Sequence, residues 1–395
     1  MKLAMFLAVA LLALPGRAQV RTGADVLDQR GTDALDGRKI GLITNHTGRT
    51  LGGERTVDVI SRHAKNGRMQ LVALFSPEHG WEGKVDERVG DAKDETTGLP
   101  VYSLYGATRA PTEPMLAGVD TLVFDIQDIG CRFYTYLSTM RNCLEVAAQK
   151  QLRFVVLDRP NPIGGVRMEG PVLADARRDF VGAHRIPLRH GLTAGELARM
   201  IAGEAGLQVD LRIVKCEGWS RADTFDATGL PWIDPSPNMR SLTEAMLYPG
   251  IGLLEGTNLS VGRGTDRPFE VLGAPWCDGV QLAAMLRAAK LPGVTFVPIE
   301  FTPTASKFRG ERCSGVNVVI TDWRTFEPVR TGIHVACALH GFGPAWDTSK
   351  LDWLLKHEAT RDAILAGKPA DEIVAGWQKE LDLFRMRRKP FLLYE

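Results

Sequence analysis

Four short apolar segments in the first half of the chain constrain its fold more than any other feature. They are Lys39–Thr44, Gln70–Phe75, Asp120–Asp125 and Arg153–Asp158, and helical patterns such as residues 133–149 separate them. Continuous apolar strands that alternate with helices form parallel sheets with helices on both faces. The sequence therefore predicts an α/β fold built on a parallel sheet.

The pattern changes after Pro249 and Gly250, where strands become shorter and mix with helices. We place the domain boundary there. Residues 22–246 are predicted to form a Rossmann-like domain that carries the catalytic residues. Residues 247–395 are predicted to form a smaller mixed α/β domain that completes a cleft.

The N-terminus has the pattern of an export signal. Met1 and Lys2 give a positive start, residues 3–14 are almost wholly apolar, and the small residues Gly16 and Ala18 suit a signal peptidase. The apolar run is shorter than the ~20 residues that a membrane span needs. We expect cleavage after residue 18 and a protein exported to the periplasm or beyond, free of the membrane; a retained anchor or a buried helix is the alternative.

Charge and motifs exclude several classes of function. The 48 basic and 47 acidic residues are balanced and form no basic stripe, so nucleic acid is not an expected partner. No P-loop, dinucleotide fingerprint, G-x-S-x-G elbow or zincin motif occurs, and no cluster has metal-ligand spacing. We therefore predict neither a cofactor nor a metal. The six cysteines include no C-x-x-C pair, and both free thiols and disulfides remain open.

Polar residues follow each of the four apolar segments. They are Asn45 after the first, Glu78 after the second, Asp125 and Asp128 at the third, and Asp158 and Arg159 at the fourth. Ligands of open parallel sheets bind at the carboxyl ends of the strands. The sequence therefore predicts one site at this edge, although turns favour Asn and Asp in any case.

The segment from Ser76 to Gly80 is the sharpest single motif. Pro77 and Gly80 predict a tight turn directly after a buried strand, with Glu78 and His79 between them. Carboxylates at strand ends fit acid/base or glycosidic chemistry. Glu78 is the candidate general acid, and His79 is a candidate to hydrogen-bond a carboxylate or the substrate. A Glu78 that caps a helix or pairs with an arginine is an equal alternative.

Residues 124–136 form the second dense segment. Asp125 and Asp128 are candidates for a partner carboxylate, and Arg132 and Tyr134 are candidates to bind a sugar or a carboxylate. The alternative is that Asp128 caps the helix that follows.

Further polar residues lie in loops with Gly and Pro. The candidates for substrate binding there are Asp158, Arg159 and Asn161, then Asn238, and in the second domain Glu255, Asn258, Arg263 and Thr265. Ion pairs and turns within stiff loops explain such residues equally well. A phosphate loop at 262–267 is disfavoured because no helix start follows it.

Seven motifs in this order are similar to those of the exo-β-N-acetylmuramidase family. They are residues 44–48 (TNHTG), 77–80 (PEHG), 124–130 (FDIQDIG), 158–162 (DRPNP), 235–239 (PSPNM), 255–258 (EGTN) and 262–265 (GRGT). The resemblance implies a Rossmann-like domain, a smaller α/β domain and an active site between them. It also implies release of terminal N-acetylmuramic acid (MurNAc) from peptidoglycan-derived saccharides, with the catalytic glutamate at Glu78. The resemblance implies for the other motif residues only that they belong to the pocket.

Two other functions compete with this expectation. An amidase or esterase on cell-wall fragments would release peptide or acyl groups without a new reducing end. A saccharide-binding protein would bind sugar and give no product.

Overall fold

The computed structural model describes residues 19–83 and 90–395. The predicted export signal, residues 1–18, lies outside the described residues. No helix within the described parts of the chain is long and apolar enough to cross a bilayer. The six cysteines are unpaired, and five of them are buried.

The strands form two sheets. Their bounds are β1 (Lys39–Thr44), β2 (Gln70–Ser76), β3 (Ala92–Lys93), β4 (Pro100–Ser103), β5 (Thr121–Asp125), β6 (Arg153–Leu157), β7 (Asp210–Val214), β8 (Val271–Ala274), β9 (Val294–Phe301) and β10 (Cys313–Ile320). The helices are α1 (Gly23–Arg30), α2 (Thr56–Lys65), α3 (Tyr136–Gln149), α4 (Ala194–Glu204), α5 (Leu242–Ile251), α6 (Gly279–Ala288), α7 (Pro328–His340), α8 (Asp352–Leu355), α9 (Glu358–Leu365), α10 (Ala370–Ala375) and α11 (Gln378–Arg388).

The larger sheet has the order β3-β4-β2-β1-β5-β6-β7, and every pairing in it is parallel except that of β3 with β4. The central strand β1 is buried on both faces, with Leu42 beside Leu74 of β2 and Val123 of β5. Gly41 is needed in this strand because a methyl group there would lie 2.7 Å from the ring of Phe75. The predicted parallel-sheet α/β fold is confirmed.

The smaller sheet has the order β8-β10-β9 and is antiparallel. Helices α5 and α7 pack closely beside it because both carry glycine at the contact. A methyl group at Gly250 would lie 1.9 Å from the carbonyl oxygen of Pro328, and one at Gly332 would lie 2.4 Å from that of Gly250. This mixed α/β part was predicted from the change of pattern after residue 250.

The start of α4 shows how a local motif fixes an element. The Thr193 hydroxyl accepts from the backbone N–H of Glu196, and the Glu196 carboxylate accepts from the backbone N–H of Thr193. The Thr-x-x-Glu spacing of the two residues is that of a capping box, and a cap of this type contributes about 1 kcal/mol.

One hydrophobic core extends through both sheets, from Phe75 under the larger sheet to Phe296 in the smaller one and Phe384 in α11. The C-terminal segment also returns to the larger sheet, where the hydroxyl of Tyr394 donates to Asp158 (2.6 Å). The two sheets are therefore connected by a continuous core and by the C-terminal segment.

Candidate active site

Glu78 lies in the turn directly after β2. The N–H of Gly80 donates to the carbonyl of Pro77 (3.1 Å), and His79 and Gly80 have φ angles of 68° and 76°. Glycine adopts this left-handed conformation freely, whereas a histidine there is strained, and strained residues cluster at functional sites. The turn ends the strand and directs the half-buried Glu78 into a cleft.

Two hydroxyl groups hold the Glu78 carboxylate. Thr135, the residue before α3, donates to its Oε2, and Tyr105 is also hydrogen-bonded to it. Burial, and then this contact with Glu78, raise the pKa of Tyr105, so its hydroxyl stays protonated and donates. No Lys or Arg of residues 19–83 and 90–395 forms an ion pair with Glu78, so the arginine alternative is wrong for the described chain.

The cleft has a volume of about 430 Å³, within the range of small-molecule sites, and both domains contribute to it. Its lining includes the predicted residues Glu78, His79, Tyr134, Asn238, Glu255 and Arg263. Tyr134 packs edge-on against Tyr136 and Tyr248, with ring centres 4.9 and 6.1 Å apart. The structure thus brings together motifs that are up to 185 positions apart in sequence, from Glu78 to Arg263.

Comparison with known proteins agrees with this two-domain arrangement. The family model for the N-terminal part of the exo-β-N-acetylmuramidase NamZ matches residues 40–243, and the model for its C-terminal part matches residues 246–394. The chain belongs to the NamZ family.

Relatives match along nearly the whole chain. A Bacillus subtilis protein named peptidoglycan β-N-acetylmuramidase NamZ is 44% identical, over 96% of this chain and 92% of its own length. Crystal structures of two DUF1343 family proteins from Bacteroides fragilis superpose with TM-scores of 0.89 and 0.77 at 38% and 30% identity. Both cover 96% of this chain, and 100% and 99% of their own.

Several motif residues of this NamZ family member lie away from the cleft. Asp125, predicted as a catalytic carboxylate, is fully buried and pairs with Arg159 through Nε–Oδ1 (2.5 Å) and Nη2–Oδ2 (2.9 Å) contacts. Thr56 donates to Asp125 as well, and Arg159 also donates to the carbonyl of Arg49. The predicted catalytic role of Asp125 and the predicted substrate-binding role of Arg159 both need correction, because the two side chains form an ion pair in the interior.

Asp128 is also buried and does not line the cleft. Its Oδ2 accepts from the N–H of Gly130 (2.7 Å) and lies 3.8 Å from Nε2 of His190. Burial raises the pKa of Asp128 to about 7, against the effect of the Gly130 hydrogen bond. Its predicted role as a catalytic group at the substrate is therefore corrected to that of a carboxyl beneath the cleft floor.

Arg132 was predicted to bind substrate, but its guanidinium faces the interior. It donates to the carbonyls of Pro171 (3.0 Å) and Ile186 (3.4 Å) in the first domain, and to those of Leu354 (3.2 Å) and Leu355 (2.7 Å) in α8. Burial lowers its pKa to about 10, so it remains charged at neutral pH. Arg132 joins the two domains rather than holding a ligand.

Three further residues predicted to bind substrate are buried and hydrogen-bonded within the protein instead. Asp158 is fully buried and accepts from Thr193 and Tyr394, and burial raises its pKa to about 6. Asn161 donates to the carbonyl of Leu192 (2.9 Å). Asn45 accepts from the N–H and hydroxyl of Thr47, in a turn that borders a separate cavity.

Two predicted residues of the second domain stabilise loops. Asn258 donates to the carbonyl of Ala345 (2.9 Å) and accepts from the N–H of Asp347 (2.8 Å). Thr265 donates to the carbonyl of Gly262 (2.7 Å) within its own turn. Neither lines the cleft.

Arg109 is a cleft residue that sequence reasoning missed. Its guanidinium carbon lies 4.4 Å from the centre of the Tyr105 ring and 3.9 Å from that of Phe180, so two aromatic rings hold it in place. Arg263, the other cleft arginine named above, donates to the carboxylate of Glu255. No recognisable motif surrounds Arg109, and no pattern in the chain indicates that residues 105–109 and 180 meet.

Among the residues that the structure describes, two carboxylates line the cleft besides Glu78. Glu255 pairs with Arg263, and Asp179 accepts from Nζ of Lys356 (2.6 Å). Within the described residues, no group of three or more His, Cys, Asp or Glu side chains is arranged to hold a metal ion.

Proposed function

We propose that this chain is an exo-β-N-acetylmuramidase that releases MurNAc from the non-reducing end of peptidoglycan-derived saccharides. The observation that carries the proposal is Glu78, a half-buried carboxyl in the inter-domain cleft, which within the described chain is held by hydroxyl groups and forms no ion pair. The name of the Bacillus subtilis relative supports the choice of substrate.

Glu78 acts as the general acid. It donates its proton to the glycosidic oxygen while the bond from that oxygen to C1 of MurNAc breaks, and water adds its hydroxyl to C1 and releases its other proton to the solvent. Thr135 and Tyr105 fix the carboxyl group so that one geometry is presented to the leaving oxygen. Glu255 and Asp179 lie in the same cleft, and each is paired with a cation, Arg263 and Lys356 respectively.

Arg109 recognises the lactyl carboxylate that distinguishes MurNAc from N-acetylglucosamine. Arg132 and Arg159 bind buried partners, and Arg263 is paired with Glu255. By contrast, no Asp or Glu of the described chain forms an ion pair with Arg109. Its position between two rings at the rim of the cleft leaves the planar donor edge available for a carboxylate.

Replacing Arg109 tests this recognition. Arg109→Gln should raise KM for a β-N-acetylmuramide by about tenfold or more, because a charge-assisted hydrogen bond is lost. Arg287→Gln, an exposed arginine of α6, is the matched control. KM is measured by steady-state kinetics for both variants. Equal KM values for Arg109→Gln and Arg287→Gln would contradict a role of Arg109 in substrate recognition.

A substrate panel tests the function itself. The protein is incubated with a chromogenic β-N-acetylmuramide, the corresponding N-acetylglucosaminide and MurNAc-GlcNAc disaccharide. We expect release from both muramyl substrates, with new reducing ends, and little from the glucosaminide. Release of peptide or acyl groups without reducing ends would favour an amidase or esterase, and binding without any product would favour a saccharide-binding protein.

The location of the enzyme is a further part of the proposal. The N-terminal pattern of residues 1–18 and a cell-wall substrate both favour export to the periplasm or the medium. N-terminal sequencing of the exported protein should begin at Gln19, and an intact Met1 in the cytoplasmic fraction would contradict export.

A further inference from the structure

A second cavity of about 760 Å³ adjoins the catalytic cleft and is lined mainly by the second domain. The two share Glu255 and Trp353 in their walls, so a chain that leaves the cleft past these residues enters the second cavity. We name it the outer groove. Nothing in the hydrolysis step at Glu78 requires it.

The outer groove is mainly basic. Among the described residues, five cationic side chains line it against two carboxylates, Glu255 and Asp352; the cations are Arg177, Lys307, Lys350, Lys356 and Arg361. An excess of one charge in a concave surface attracts ligands of the opposite sign.

Three of these cations are already engaged in the protein. Arg177 pairs with Asp352 (2.5 Å), Lys356 pairs with Asp179, and Lys307 donates to main-chain carbonyls of residues 255–259. The exposed Lys350 has no ion-pair partner in the described chain, and Arg361 contacts only its sequence neighbour Asp362 at its guanidinium. Lys350 and Arg361 are therefore the cations available to a ligand.

Trp353 supplies an apolar surface at the junction of the two cavities. Its side chain is 51% exposed, yet the short helix that carries it is fixed from behind by Arg132. Gly256 allows the neighbouring segment to approach, since a methyl group there would lie 2.1 Å from the carbonyl oxygen of Lys350. Because this exposed aromatic face lies in the shared wall of two cavities, it is placed to pack against the C–H face of a pyranose ring.

We propose that the outer groove binds the leaving part of the substrate, an N-acetylhexosamine chain that carries carboxylates. Trp353 packs against the second sugar ring of the leaving part, and Lys350 and Arg361 bind a carboxylate on that ring or farther along the chain. This assignment rests on the proposed function, because an exo-acting enzyme holds the terminal sugar in the cleft and the remaining chain outside it. The carboxylate belongs either to the lactyl group of the next MurNAc or to a peptide attached to it.

Chain-length preference tests the outer groove. kcat/KM is measured for MurNAc-GlcNAc and for the tetrasaccharide MurNAc-GlcNAc-MurNAc-GlcNAc, and the wild type should prefer the tetrasaccharide. Lys350→Gln should reduce that preference by about fivefold, since an exposed charge pair contributes modestly. Trp353→Ala should reduce it as well. Lys379→Gln and the partly exposed Trp323→Ala are matched controls and should keep the wild-type ratio.

Two further substrates identify the carboxylate. A chain of MurNAc followed by three GlcNAc units should respond to Trp353→Ala and not to Lys350→Gln. If the effect of Lys350→Gln requires a peptide on the second MurNAc, the peptide supplies the carboxylate; otherwise the lactyl group does. Ratios unchanged in both variants would overturn the outer groove as a subsite, whereas a wild type inactive on the disaccharide would overturn the proposed function instead.

Discussion

At the scale of single residues, burial distinguishes charged motif residues that stabilise the fold from those that line the cleft. Asp125 and Arg159 stand in conspicuous motifs and at strand ends, yet they form a pair with 0% and 7% of their side chains exposed. Removal of one partner from a buried ion pair leaves an uncompensated charge. The motif residues that surround Glu78 therefore include several that build the sheet edge.

Asp125→Asn should lower the free energy of unfolding by about 3–5 kcal/mol, because Arg159 would remain buried without its carboxylate. Activity should fall only as the folded fraction falls. Urea unfolding followed by fluorescence measures the first quantity, and active-site-normalised turnover measures the second. A stable variant without turnover would return Asp125 to the catalytic group.

The site residues also show which features of the cleft can be predicted from the sequence. Glu78 and Asn238 each directly follow a proline in a tight turn, and both line the cleft. Strand-end position alone does not say whether a side chain faces the groove or the interior, and Asp125 and Asp158 face the interior. Arg109 was out of reach because its two aromatic neighbours come from separate loops.

At the scale of elements, the short helix α8 connects the fold to the substrate surfaces. Trp353 of α8 borders both cavities, and the carbonyls of Leu354 and Leu355 at its end accept from Arg132 of the first domain. A cation at the C-terminal end of a helix satisfies carbonyls that have no partner within the helix. The position of α8 thus depends on one buried side chain from the other domain.

Replacing Arg132 with a side chain of similar length tests this dependence. Arg132→Met should destabilise the protein by about 3 kcal/mol, since several buried carbonyls lose their donor. Limited proteolysis should show earlier cleavage near α8 than in the wild type. Arg287→Met on the exposed face of α6 is the control, and equal stability of the two variants would contradict the role assigned to Arg132.

Elements themselves were largely predictable. The strands β1, β2, β5 and β6 and the capped start of α4 follow directly from apolar runs and a capping box. The four-residue helix α8 has no periodic pattern of its own, because a single turn is too short to show one. The role of α8 follows only from its contacts with Arg132, which is distant in sequence, and from the position of Trp353 between the two cavities.

At the scale of the whole molecule, the cleft is formed by two domains that share one core. Glu78 comes from the larger sheet, and Glu255 and Trp353 come from the smaller domain. Because the hydrophobic core is continuous between them, the acid and the surfaces that bind the sugar chain are held in one frame. The central claim is that Glu78 protonates the leaving oxygen within this frame.

The most direct measurement compares leaving groups in Glu78→Gln, with the exposed Glu113→Gln as the control variant. A sugar leaving group needs a proton, so hydrolysis of MurNAc-GlcNAc should fall by about 10²–10⁴-fold. A dinitrophenyl β-N-acetylmuramide, whose leaving group departs without a proton, should lose far less. Equal losses on both substrates, or disaccharide hydrolysis near the wild-type rate, would contradict Glu78 as the general acid.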